Sequence, residues 1–315
     1  MRSLTFCSAF IPVGIFFLHF SAAAQTADTT SVPIRMVDGT PVVQVTLNGK
    51  GPYDFLLDTG STYSAVQPKI LTQLSIPLED QVVIDTAAGG SIHERKTTVE
   101  SMSVGGLIVL QMNVYTLDPR LLSQNHQNIS GILGESFLKH FDILLDNEKK
   151  ILVLDRTSRL AESLAGEQLP FSCFGSRDAG RTHDRIVVEL KIPRYLQQSL
   201  SCLVDSGASS PFVFPEESQA WRLQVLAHPS EMATLNGDRC IVAEERLIIG
   251  GIAFPATEVF SCGNVTRKVA DTDCLLPTHL FKQIFISHSN SYIIVNPQKA
   301  SRKLQEIADT VLLVR

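Results

Sequence analysis

Residues 55–66 read FLLDTGSTYSAV: three apolar residues run up to Asp58, and Thr59 and Gly60 follow it at once. An apolar run of this kind is the pattern of a strand inside a core, and the Thr-Gly pair ends it in a turn. Asp58 is therefore expected at the mouth of a packed sheet. Asp, Thr and Gly also suit an ordinary turn, so one such stretch leaves both readings open. The chain offers a second: residues 201–214 read SCLVDSGASSPFVF, with Asp205 in the place of Asp58. At average residue usage a chain of this length contains Asp-Thr/Ser-Gly by accident roughly once in seven cases. Two copies, each between an apolar run and a later hydrophobic one, are not explained that way.

The doubling extends beyond the tripeptides. ESMSVGGLIVLQMNVYTLD from Glu100 resembles ERLIIGGIAFPATEVFSC from Glu245, with Gly105-Gly106 answering Gly250-Gly251. GILGESFLKHFDILLDNEKKILVL from Gly131 resembles CLLPTHLFKQIFISHSNSYIIV from Cys274. The three correspondences are separated by 147, 145 and 143 residues, a slow drift that marks one ancestral unit duplicated with short insertions and deletions. Units this long are a pair of lobes; solenoid repeats are far shorter.

At 315 residues the chain has room for two domains, each with its own core. A hydrophobic fraction of 44% and 19% charged residues indicate a globular protein, and a net charge of −5 leaves no basic footprint for nucleic acid. Arg2, the apolar stretch ending at Phe20 and the small residues of SAAAQ form the pattern of a signal peptide over 1–24, cleaved after Ala24. An uncleaved anchor is the competing reading, but the stretch is short for a span and contains Pro12 and His19. A periplasmic or secreted product with no membrane span is expected. Residues 25–32 read as a short tail, 33–160 as the first lobe, 161–300 as the second and 301–315 as a C-terminal tail. Short alternating or apolar runs such as PVVQVTLNG, QVVIDTA and RIVVELKI predict a nearly all-β chain, with helix confined to pieces such as ESFLKHF. Cys173, Cys202, Cys240, Cys262 and Cys274 all lie in the second half, where export permits disulfides. Cys202 and Cys274 read either as facing partners or as buried thiols. Neither a zinc-type Cys/His spacing, nor Gly-x-Ser-x-Gly, nor a phosphate-binding glycine loop is present, so no metal or cofactor is expected.

A hydrophobic run, Asp-Thr/Ser-Gly and a later hydrophobic-hydrophobic-Gly in each lobe is the pattern of aspartic proteases of the pepsin and retropepsin superfamily. From about Pro33 to about Pro297 this chain resembles that family, most of all bacterial aspartyl proteases with retropepsin-like lobes. The first half matches through Phe55–Ser61 and Ile132-Leu133-Gly134; the second matches through Leu203–Ala208, but departs at Leu275-Leu276-Pro277. The resemblance implies a bilobal pepsin-like arrangement of two acid-protease β-barrels in one chain, monomeric, acting on peptide or protein substrates. In this family two carboxylates roughly 3 Å apart cannot both ionise and so share a proton. Asp58 and Asp205 are the implied pair. Thr59 and Ser206 would lock the two loops to each other's backbone, and Gly60 and Gly207 would give room for close approach. The Ser61 hydroxyl would serve Asp58 while Ala208 could not serve Asp205, which puts the shared proton on Asp205 and makes Asp58 the base. Gly89 and Gly90 in DTAAGGS are candidates for a flap over the substrate, or else for a plain hairpin turn. The alternative to an active enzyme is a catalytically weak or inactive peptide-binding protein that retains the cleft.

Overall fold

In this computed structural model the described residues are 28–85, 91–119, 122, 126, 128–171, 185–193, 199–214, 232–235, 238–262 and 272–299. The expected signal peptide, Gly89, Gly90, Cys173 and the C-terminal tail lie outside them. Strands dominate; the α-helices among the described residues are Pro68–Gln73, Glu135–Leu138 and Arg159–Ser163, and Thr278–Leu280 form a 3-10 turn.

Each half builds a sheet, of eight strands in the first and nine in the second, and seven strands of each keep the same order. In the first half it runs Thr40–Leu47, Lys50–Leu57, Gly131–Leu133, Ala65–Val66, Leu107–Thr116, Ser91–Val104, Gln81–Asp85. In the second it runs Val187–Lys191, Leu200–Asp205, Cys274–Pro277, Phe212–Val213, Thr257–Cys262, Asp238–Glu245, Met232–Leu235. The registers match as well. Ala65 lies opposite Ile132 and Tyr115, as Phe212 lies opposite Leu275 and Phe260. Those counterparts keep the separations of 147, 143 and 145 residues found in the sequence. Alternation explains the strands themselves: along Thr40–Leu47, Val43, Val45 and Leu47 point into the core, and at the end of Ser91–Val104, Met102 and Val104 do so. The pairing of Thr46 with Ser103 curls the first sheet back on itself.

The glycine pairs are two-residue hairpin turns with both residues at positive φ, +55° and +89° at Gly105-Gly106 and +54° and +78° at Gly250-Gly251. A Cβ on Gly105 would come within 2.4 Å of Val32, and one on Gly250 within 2.2 Å of Leu169. Each turn therefore packs against a strand of a third, six-stranded sheet, ordered Thr29–Pro33, Ile151–Asp155, Asp142–Asp146, Gln283–Ser287, Tyr292–Val295, Leu169–Pro170. Three strands come from each half. At its centre Leu144 pairs with Phe285, and Ile143↔Ile286 and Leu145↔Ile284 flank it as mirror partners, so a two-fold relation passes through this sheet. Residues 29–32 correct the sequence reading. Expected as tail, they form an edge strand whose mixture of Thr, Ser, Val and Pro carries no alternating signal, and Thr29 is fastened to Asp155 by a 2.8 Å hydrogen bond.

Two disulfides form in the second half, Cys202–Cys274 and Cys240–Cys262. Cys202 and Cys274 face one another across parallel strands at the register that Phe55 and Gly131 occupy in the first half. There a Cβ on Gly131 would meet the Phe55 ring at 2.3 Å. One half fills that space with a ring over a glycine, the other with a disulfide. Replacing Cys202 and Cys274 together by Ala should lower the unfolding free energy by about 2–4 kcal/mol. Denaturant unfolding with a drop of less than about 0.5 kcal/mol would show that the bridge adds nothing to the packing.

Candidate active site

The strands Lys50–Leu57 and Leu200–Asp205 each run parallel to a short strand from the same half, and each ends at an aspartate. The loops that follow meet tip to tip. Thr59 Oγ1 donates to the Val204 carbonyl at 2.8 Å and accepts from the Ser206 N–H at 3.0 Å. Ser206 Oγ donates to the Leu57 carbonyl at 2.7 Å and accepts from the Thr59 N–H at 3.0 Å. Thr59 and Ser206 are buried, so each of these polar groups depends on a partner from the other half.

The glycines set the carboxylates face to face. A Cβ on Gly60 would lie 2.5 Å from Asp205 Cγ, and one on Gly207 would lie 2.8 Å from Asp58 Cγ. Any other residue at either position would push into the opposite carboxyl group. Within its own loop each aspartate is held the same way. Asp58 Oδ1 accepts the N–H of Gly60 at 3.0 Å and of Ser61 at 2.9 Å; Asp205 Oδ1 accepts those of Gly207 at 2.8 Å and Ala208 at 3.1 Å.

One expectation about asymmetry is thereby overturned. The Ser61 hydroxyl turns away from Asp58 and donates to the Tyr63 carbonyl at 2.8 Å, so Ser61 and Ala208 both support their aspartates through backbone N–H groups alone. With that hydroxyl turned away, the ground for placing the shared proton on Asp205 is gone. Burial raises both carboxyls, Asp58 well above the ordinary range, because the Asp205 charge and the hydrogen bond between the two side chains add to its desolvation. Asp205 is raised by burial, but the N–H of Gly207, the hydrogen bond from Asp58 and the N–H of Ala208 all lower it. The two coupled carboxyls therefore keep a shared proton above the ordinary carboxylate range.

Pro277 has a local explanation. In the first half the Gly134 N–H donates to Ser64 Oγ at 3.1 Å, and a Cβ on Gly134 would strike the Tyr63 carbonyl at 2.4 Å. The counterpart of Ser64 is Pro211, seated the same way: Phe260 N–H donates to the Pro211 carbonyl as Tyr115 N–H does to that of Ser64. Pro277 has no N–H and Pro211 has no hydroxyl, so donor and acceptor are missing together and nothing is left unpaired. Pro277 still pairs opposite Asp205, extended at φ −65° and ψ 137°.

The strands Gln81–Asp85 and Ser91–Val104 form the hairpin expected around DTAAGGS, and Asp85 pairs with Ser91 as its last rung. Its candidate flap residues Gly89 and Gly90 lie outside the described residues. Four residues not singled out in the sequence belong to the site's support: Ser64 and Ser136, hydrogen-bonded at 3.0 Å beneath the Asp58 loop, and Glu135 and His288, paired across the two halves at 2.8 Å. Glu135 and Ser136 follow Ile132-Leu133-Gly134 directly and were within reach of the motif; nothing in the sequence joins His288 to them. Among the described residues no group of three or more His, Cys, Asp or Glu is placed to hold a metal ion. No helix among them is long and apolar enough to cross a membrane.

Residues 43–137 match the family model described as aspartyl protease. This stretch contains Asp58, its loop and the Ile132–Gly134 element, and supports an aspartic protease family. No curated protein matches the chain.

Two outcomes are expected in unfolding experiments. Thr59→Val strips two buried backbone groups, Val204 C=O and Ser206 N–H, of their partner and should cost about 1–3 kcal/mol or more. The carboxyls give a pH signature. Their folded-state values are raised, so their contribution is complete below the unfolded value of about 3.9 and is lost as pH rises through the folded values. Asp58→Asn should therefore raise Tm at neutral pH, by roughly 2–4 °C per kcal/mol relieved, and give no gain in acid. A Tm difference that does not vary with pH would contradict the shared proton.

Proposed function

We propose that the chain is an exported aspartic endopeptidase, a bilobal pepsin-like arrangement of two retropepsin-like lobes acting as a monomer on peptide or protein substrates without a cofactor. The observation that carries this reading is the mutual seating of Gly60 on Asp205 and Gly207 on Asp58, since it brings two carboxylates from opposite halves, Asp205 buried and Asp58 half-buried, into one site. The family match over residues 43–137 points the same way for the first half. The two disulfides fit an oxidising compartment, periplasmic or extracellular. Pro277 gives little support to a decayed, peptide-binding relic, because the second half has compensated for it at Pro211.

The chemistry follows from the shared proton. A water held between the carboxyls gives a proton to the ionised partner as its oxygen attacks the scissile carbonyl carbon, while the protonated partner donates its proton to the carbonyl oxygen. The tetrahedral diol then collapses: the C–N bond breaks, a proton passes to the leaving nitrogen, and the pair returns to one proton between two carboxylates. Neither aspartate performs both transfers alone, which is why the chemistry requires both halves.

Asp58→Asn and Asp205→Asn should each lower kcat by roughly a hundred- to ten-thousandfold while leaving the fold intact, measured on a peptide library across acid and neutral pH. Mixing the two inactive variants should not restore cleavage. Restored activity would replace the single-chain site with a dimeric one, and undiminished activity in either variant would remove the proposed mechanism.

A further inference from the structure

Asp146 and Ser287 end equivalent strands of the shared sheet, and the first turn residue after each reaches into the opposite half. After Asp146 comes Asn147, whose Nδ2 donates to the carbonyls of Thr278 at 2.8 Å and Phe281 at 3.0 Å. After Ser287 comes His288, whose Nε2 lies 2.8 Å from Glu135 Oε2 and whose Nδ1 lies 2.7 Å from the Phe141 carbonyl oxygen. Glu135 and Thr278 are themselves counterparts, one following Gly134 and the other Pro277. The two contacts are two copies of one tie between halves, neutral on one side and ionic on the other. A carbonyl oxygen only accepts, so Nδ1 carries a proton; a second proton on Nε2 gives an imidazolium facing the carboxylate. Both side chains are buried, 8% and 1% exposed.

Glu135 also belongs to the shelf beneath the Asp58 loop. Its N–H donates to the Ser61 carbonyl at 2.8 Å, and the next N–H, of Ser136, donates to that of Thr62 at 3.1 Å. We propose that Glu135 and His288 are a positioning pair that sets the Asp58 loop, and that they hold it only while the imidazole is charged. Its consequence for turnover rests on the protease reading; the tie itself does not.

The groups around the ring agree with a charged imidazole. Burial alone would lower the His288 value, but the Glu135 carboxylate and its hydrogen bond, the Phe141 carbonyl and the Asp142 charge reverse this and raise it. Asp142 is also held by the hydroxyls of Ser287 and Ser289. Lys139 and Arg185 line the same small cavity as Glu135 and His288. Tyr292, on the neighbouring strand, is held above the ordinary phenol range by burial and Asp142. With a raised folded value, the tie is complete below about 6.5 and is lost as pH rises through the folded value.

Amide hydrogen exchange on the full chain, corrected for intrinsic rates at each pH, reads the shelf directly. The N–H of Asn147, bonded to the Lys282 carbonyl on the neutral side, is the internal control. In the unaltered protein, protection of the Glu135 and Ser136 amides should fall roughly tenfold against that control as pH rises from 6.5, with kcat falling over the same range. In the double variant Glu135→Thr/His288→Asn, which copies the neutral side, protection relative to the control should not vary with pH. Flat protection in the unaltered protein overturns the proposal, and so does an unchanged slope in a folded double variant. A pH-dependent shelf in a protein that cleaves nothing would sink the protease reading and leave the tie standing; cleavage with a flat shelf would do the reverse.

Discussion

Everything in this site depends on the reciprocal bonding of Thr59 and Ser206. Each hydroxyl donates to a carbonyl and accepts an N–H across the junction, so four buried backbone groups are satisfied only when both loops are in place. A buried network of this kind is rigid when complete and costly when any member is missing. Neither half can keep its aspartate loop in this geometry alone. The constraint explains the shared six-stranded sheet, because two loops that must meet within tenths of an ångström need their carriers joined by more than a hinge.

Within that constraint the halves have diverged by paired changes. Phe55 over Gly131 stands opposite the Cys202–Cys274 bridge, the Ser64–Gly134 hydrogen bond opposite Pro211 and Pro277, and the Glu135–His288 ion pair opposite Asn147 and Thr278. In each case both members of a contact differ together, as packing and buried polar groups demand, since changing one partner alone would leave a void or an unpaired group. The carboxylates' own surroundings have diverged least: both accept the same two backbone N–H groups, and the opposite loop's glycine lies against each.

The sequence carried this duplication in plain form, because Asp-Thr/Ser-Gly and the double glycines answer requirements of backbone and packing that few other residues meet. What it concealed were contacts decided by competition or by distance. Ser61 stood in the right place to serve Asp58, but its hydroxyl has the Tyr63 carbonyl within reach, and the backbone N–H already occupies the carboxylate. The placing of the proton on Asp205 rested on that reading and loses its ground with it. His288 reaches Glu135 across 153 residues, and the repeat offset has drifted by then, so aligned positions no longer point to it. Thr29–Val32 reads as a tail because an edge strand borrows its hydrogen bonds from a neighbour and needs no apolar alternation of its own.

The central claim is that Asp58 and Asp205 occupy one site and hold one proton between them. Carbon NMR titration of labelled aspartate side chains tests it most directly, with Asp58→Asn and Asp205→Asn for assignment. The account predicts two coupled steps, in which one carboxyl keeps its proton well above about 3.9 and either substitution abolishes the coupling. Two independent titrations near about 3.9, unchanged in the single variants, would contradict it.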